Sequence, residues 1–409
     1  MRTGLHQPFR GFTDMDRIKE FYNRLYFYPS DAHYIQSLCR SLSIKKGEEW
    51  RLSPIMGAQE LSNTLPLANY HHFQYREENN LNFRFNLHMH THYSDGQFDV
   101  KDLLDEGETF AKERSSLADD LPPFVLAITD HDCVDSCKEA LKIIIQNPKK
   151  YTHLRVVLGA ELSAVWKDKT LHRIPFEYEM LYYGLDPFDE KINTYLKQNQ
   201  QQRRKIADLL FEILSRTYPQ TSFSFAEALL QEPFLEKNLG LGFAGRIYRY
   251  AATKVQDENL YALTHQFHHS FDVEPSLDPY QETEDIFNLW HNSGFGFLGI
   301  AHPQKVNVGK FLNKDFSTAC EKEGKDAGYE LLKAFLDMLK NRGLRALEIN
   351  YQFDNENLQR AERMILGEEP TDENDGTYRW LKFFVQYADK YGLLKAGGYD
   401  THKTKITGR

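Results

Sequence analysis

The sequence predicts an α/β protein, a seven-stranded (β/α) TIM-like barrel carrying an inserted helical lobe and an N-terminal extension. Three observations point there. From about residue 81, short apolar runs alternate with amphipathic helical patterns, as in sheets built with crossover helices. There are seven such runs. Their C-terminal ends collect histidines and carboxylates, and that end of a barrel is the one that carries chemistry.

Taken in order, the extension (1–80) opens with a helix-like MDRIKEFYNRLYF and continues as a polar, irregular run without strand alternation. The predicted strands are FRFNLHMH (83–90), FVLAIT (124–129), RVVLGAEL (155–162), YEMLYYG (178–184), FGFLGIAH (295–302), LRALEIN (344–350) and LLKAGGYD (393–400). Between them VKDLLDEGETFAKE, VDSCKEALKIIIQ, TEDIFNLWHNSG, GYELLKAFLDMLKNRG and TYRWLKFFVQYADKYG repeat apolar residues every three to four positions, and several end near Gly. Each predicts a crossover helix, and the whole reads as a parallel sheet. The stretch 186–283 interrupts the alternation with the long polar helix KINTYLKQNQQQRRKIADLLFEILSR. The barrel domain therefore comprises 81–185 and 284–409, with 186–283 as the lobe.

Bulk composition narrows the function. At 409 residues, 41% hydrophobic and 27% charged, the chain is globular and long enough to bury a substantial core. A net charge of -9 offers no basic face for long nucleic acid. Four cysteines without paired spacing fit a reducing compartment, and Cys133 and Cys137, four apart, are read as buried thiols in preference to half of a zinc site. No signal-peptide stretch or run of about 18 apolar residues occurs, so a cytoplasmic location with no membrane and no obligate protein partner is expected.

The strand ends carry the chemistry. The first ends in His88-Met89-His90, where alternation sends both imidazoles to one face, and Asp95 follows. The second ends in Asp130-His131-Asp132, the third in Glu161, the fifth in His302 and the seventh in Asp400-Thr401-His402. A lone HxH pair or a lone strand-end carboxylate is usually structural. Five such ends together fit a mixed histidine and carboxylate set, which suits zinc, manganese or iron.

HMHTHYSDG, AITDHD, GAELS, IAHPQK, ALEIN and GGYDTH, in this order over about residues 83–405, resemble the polymerase and histidinol phosphatase (PHP) family of metal-dependent phosphoesterases. Within it the chain is most similar to the branch with an inserted helical lobe. The resemblance implies a distorted seven-stranded barrel with a trinuclear metal centre, and two or three divalent ions (manganese, zinc or iron) are expected. His88, His90, Glu161 and Asp400 would hold the first, with Glu161 bridging to a second also held by His302. Asp95, His131 and His402 would hold the third. A metal-bound hydroxide would attack phosphorus in line, with no protein nucleophile.

Three positions depart from the family pattern. Glu179 stands where a fourth-strand histidine is usual and is the expected replacement ligand, with His172 upstream as a possible compensator. Tyr399 replaces a small residue, and Tyr248 follows Gly245-Arg246-Ile247 where histidine is common. Arg246 and Lys305 are candidate clamps for substrate phosphate oxygens. The expected function is hydrolysis of a small phosphomonoester, nucleotide or short oligonucleotide. Two alternatives stand beside it: an exonuclease on longer strands, and a non-catalytic metal-binding regulatory protein.

Overall fold

The structure is a computed structural model that describes residues 14–74, 85–115, 123–167, 176–231, 243–265, 281–303, 327–351 and 376–398. β1 (Phe85–Asn86), β2 (Phe124–Ile128) and β3 (Leu154–Trp166) pair in parallel, with α4 (Val100–Ser115) and α5 (Asp135–Gln146) as the intervening helices. β4 (Phe176–Tyr183) then lies antiparallel both to β3 and to β6 (Phe297–Ile300). β6, β7 (Ala346–Tyr351) and β8 (Leu394–Gly398) complete the parallel order through α11 (Ala327–Arg342) and α12 (Gly376–Tyr391). The short β5 (Gln281–Glu282) adds to the far end of β3, just before α10 (Thr283–Ser293).

The order β1-β2-β3-β4-β6-β7-β8 nearly closes into a barrel. The Leu87 amide donates to the Gly397 carbonyl at 3.0 Å, joining the last strand to the segment after β1. That closure is tight. A Cβ at Gly398 would lie 2.4 Å from the Cβ of His88, so only glycine fits there. The seven expected strands are all present, but the sheet is not wholly parallel. Only residues 167–175 separate β3 from β4, fewer than the dozen or so that a crossover between parallel strands requires, and β4 pairs antiparallel to β3.

Alternation divides each strand between two cores. Val125, Ala127, Val157, Leu181, Tyr183, Ala346 and Ala396 fill the barrel interior, while Leu126, Ile128, Val156 and Leu158 pack outward against Leu103, Leu104, Leu141 and Ile144 of the surrounding helices. The first strand is shorter than the sequence predicts. Leu87 packs inward and Met89 outward, so the face switches between them, and the Asn86 side chain occupies the irregularity by accepting from the His88 amide at 3.3 Å.

Within the extension, α1 (Asp14–Phe27), α2 (Pro29–Ser41) and α3 (Ala58–Gln74) form helices, two more than the sequence pattern suggests. Met56, Leu61 and Leu65 join the interior core beneath Val125 and Val157, so α3 stoppers the end of the barrel opposite the strand C-termini. The Asp31 carboxylate fixes that helix by accepting from the Gln59 and Glu60 amides at 3.0 and 2.7 Å.

The lobe begins with α6 (Glu190–Thr217), capped by the Asp189 carboxylate. Its first turns pack Ile192, Tyr195 and Leu196 into the barrel-side core. Its later turns pack Leu210, Phe211 and Leu214 with Ile247 and Tyr250 of α8 (Phe243–Ala252) and Leu260 of α9 (Asn259–His265). α7 (Phe225–Gln231) adds Ala228. Among the described residues no helix is long and apolar enough to cross a membrane.

Candidate metal centre

Glu161 is the hub. Val157 and Glu161 share the inward phase of β3, which carries the carboxylate to the open end of the barrel, where it is fully buried. Its Oε2 lies 3.0 Å from His88 Nε2, 3.3 Å from His90 Nε2 and 3.1 Å from His131 Nδ1, and its Oε1 lies 3.1 Å from His302 Nε2. Four imidazoles from three different strand ends thus converge on one carboxylate. Among the described residues Oε2 nonetheless accepts no hydrogen bond.

Two further carboxylates flank this core. Glu179, two residues before Leu181 on β4 and so also inward, places Oε2 2.9 Å from His302 Nε2 and Oε1 3.6 Å from His131 Nδ1. Asp95 lies on the loop after the HxH pair, with Oδ1 3.6 Å from His90 Nδ1 and Oδ2 3.7 Å from His131 Nε2. Because β4 runs against its neighbours, its first half, not its last, meets the other strands' C-terminal ends.

The donors form three overlapping groups: His88, His90 and Glu161; His90, Asp95 and His131; and His131, Glu161 and Glu179. Within each, the ligand atoms lie within 4.8 Å of one another. Imidazole nitrogens and carboxylate oxygens at these spacings fit divalent cations. A buried carboxylate oxygen ringed by nitrogens but not hydrogen-bonded is costly unless a cation is bound there. The residues present therefore fit such a group.

Electrostatics agree with the geometry. Burial pushes the Glu161 carboxyl upward, but His88 and His131, with the hydrogen bond from His302, outweigh it and hold it well below the usual carboxylate range. Burial opposes a charged His302, yet Glu179 and Glu161 prevail and push its imidazole up to about 9. The cluster is a strong attractor of positive charge.

Around these donors lies a layer that strand-end reasoning did not assign. Glu348 on β7 receives His88 Nδ1 at 3.0 Å and the His302 amide at 2.6 Å. Asp130 accepts from the Thr91 amide at 2.7 Å and from the Thr91 and Ser94 hydroxyls, tying down the loop that carries Asp95. Asp132 accepts from the Ser163 amide and hydroxyl at 3.1 and 2.7 Å. His302 and Asp132 both sit at positive φ, 23° and 45°, a strained conformation for non-glycine residues that gathers at functional sites. The Asp-His-Asp run and the single carboxylate in ALEIN were the available signals.

Arg246, on α8, is buried, and its Nη2 donates to the His92 carbonyl at 3.4 Å, which places it beside the loop bearing Asp95. Tyr248 packs edge-on against Tyr261 of α9, inside the lobe. Cys133 and Cys137 are buried, and burial raises both thiols; Cys137 donates to the Gly159 carbonyl at 3.3 Å. Neither belongs to the three donor groups. Asp400, His402, Lys305, Tyr399 and His172 lie outside the described residues.

No family model matches the chain, and no curated protein matches it. Solved structures of similar form exist. An amidohydrolase from Chromobacterium violaceum, with bound sulfate and no metal, is 19% identical, with a TM-score of 0.48 over 78% of this chain and 88% of that one. A Bifidobacterium adolescentis protein named as a putative metal-dependent phosphoesterase is 20% identical, with a TM-score of 0.45 over 80% of this chain and 88% of its own. Function is therefore read from the side chains.

Proposed function

We propose that this chain is a metal-dependent phosphoesterase of the PHP type, hydrolysing a small phosphorylated substrate such as a phosphomonoester, a nucleotide or a short oligonucleotide. The observation that carries it is the convergence of His88, His90, His131 and His302 on Glu161, with Asp95 and Glu179 extending the donor set on either side. His88, His90, Asp95, His131, Glu161 and Glu179 would hold divalent cations, which would supply Lewis acidity toward a phosphoryl oxygen and lower the pKa of water. No serine or cysteine nucleophile is then needed.

The chain's own residues do the rest. With a cation bound, Glu348 would accept from Nδ1 of His88 and so leave the Nε2 lone pair free for the ion shared with Glu161. Glu161 and Glu179 draw positive charge to His302, while Asp95 widens the cluster beside His90 and His131. Arg246, fixed beside that loop, is placed to hold a phosphate group that does not react. The net charge of -9 favours a small substrate over a long strand.

Purified protein, stripped with chelator and reconstituted separately with manganese, zinc and ferrous iron, should release phosphate from part of a panel of phosphomonoesters, nucleotides, bisphosphates and short oligonucleotides. His90→Ala should remove that turnover with the fold retained. A panel that stays inert with every metal sinks the reading.

A further inference from the structure

Asp132 follows His131 directly, and its backbone occupies the left-handed region at φ 45°. Such a residue persists only where its surroundings hold it. Here the Asp132 amide donates to the Glu161 carbonyl at 2.8 Å, and its carboxylate, besides Ser163, receives the Nη2 of Arg203. The same Nη2 reaches the Ser163 hydroxyl at 2.8 Å. Ser163 pairs across the sheet with Glu179 and shares the face of Glu161, so the guanidinium stands immediately behind the donor cluster.

Arg203 belongs to the lobe helix. Tyr195, Asn199 and Arg203, four residues apart, form one buried polar stripe along α6, and Asn199 Nδ2 also approaches Asp132 at 3.5 Å. The stripe falls where α6 leaves the barrel core and enters the lobe core. Arg203 is 1% exposed, and among the described residues its Nη1 has no hydrogen-bond partner. A buried ion pair is weak evidence for stability, because desolvation offsets much of its attraction. Stability alone does not account for an incompletely satisfied one at this junction.

We propose that Arg203 is a positioning residue. Through Asp132 it fixes the backbone that orients His131, so the geometry of the donor cluster depends on the docking of α6. The lobe and the centre are thereby coupled. The proposal rests on the metal-centre reading, and its kinetic part rests on the phosphoesterase reading as well.

The experiment measures equilibrium manganese binding, folding by circular dichroism, and turnover for wild type, Arg203→Met, Asp132→Asn and the double variant. Asparagine tolerates the left-handed backbone, so Asp132→Asn removes charge without adding strain. Each single variant should fold and bind manganese about 10- to 100-fold more weakly, as for other supports behind metal ligands. At saturating metal kcat should fall while KM holds. The double variant should be no worse than the weaker single, because the two residues act as one unit. Wild-type manganese affinity in both single variants, or strictly additive losses in the double, overturns the proposal. Should Arg203→Met fail to fold, Asp132→Asn decides alone. Wild-type protein that binds manganese but cleaves no phosphoester sinks the proposed function and leaves this inference standing on affinity. Wild-type protein that binds no manganese overturns both.

Discussion

Glu348 Oε1 lies 3.0 Å from His88 Nδ1, while the opposite nitrogen of the same ring faces Glu161 at 3.0 Å. The imidazole therefore lies between carboxylates from different strands. Only one proton arrangement serves a metal ligand: Nδ1 donates to Glu348 and Nε2 keeps its lone pair. The other Glu348 oxygen holds the strained His302 amide, so one side chain sets two donors.

Glu348→Gln keeps the shape but replaces one acceptor oxygen with a donor, so a single neutral oxygen must serve both His88 Nδ1 and the His302 amide. Metal affinity should fall about 10- to 100-fold. Melting of the metal-free protein should change far less than on emptying the core. Titration of manganese into variant and wild type measures this, and equal affinities would reduce Glu348 to a bystander.

Local pattern revealed much of this protein, and long-range pairing accounts for what it hid. Val125, Ala127 and their outward neighbours announce a strand because a short continuous apolar run is written in adjacent residues. His88, His90, His131, Glu161 and His302 stood out because chemistry-bearing residues ended apolar runs. The direction of β4 did not, since nothing in YEMLYYG distinguishes a returning strand from a parallel one. α3 was hidden by its polar composition and by Pro66 within it. Glu348 read as one carboxylate in an apolar strand, and Arg203 as one of many charges on a polar helix. Their roles arise from partners 260 and 71 residues away in sequence.

Acid stability should report a second buried carboxylate far from the centre. Glu108 on α4 accepts from the His153 ring at 2.8 Å and from the His153 and Leu154 amides at 3.0 Å each, stapling α4 to the start of β3. Burial favours its neutral form, but these donors outweigh it and lower the carboxyl from its ordinary 4.5. A depressed carboxyl stabilises the fold fully above its unfolded value and loses that contribution as pH falls through the folded one. Glu108→Gln should therefore cost roughly 1.5–3 kcal/mol near neutrality. The gap to wild type should shrink as pH drops below the ordinary value, read by denaturant unfolding at a series of pH values. A gap independent of pH would contradict the assignment.

Arg246→Ala should chiefly raise KM. The guanidinium sits in the lobe beside the Asp95 loop, outside the donor groups, so its loss leaves metal content unchanged. A charged hydrogen bond to a non-reacting phosphate is made equally in ground and transition states, and losing about 1.5–3 kcal/mol raises KM roughly 10- to 100-fold. Unchanged KM for every active substrate would return Arg246 to a purely structural contact with His92.

Glu179 sets the last expectation, which concerns metal preference. Its carboxylate points into the cluster, 2.9 Å from His302 and 3.6 Å from His131. A carboxylate is a harder ligand and brings negative charge, which favours manganese or ferrous iron relative to an all-imidazole site. The effect is one of ratio, since zinc also accepts carboxylates and binds more tightly than manganese in most sites. Glu179→His should therefore shift the manganese-to-zinc ratio toward zinc under matched supply. It should also lower the pKa of His302, whose imidazole is raised chiefly by the Glu179 charge against the pull of burial. Elemental analysis after reconstitution gives the ratio, and proton resonances of His302 in metal-free protein give the second readout. Equal ratios and an unmoved His302 resonance would show that Glu179 faces the cluster without taking part in it.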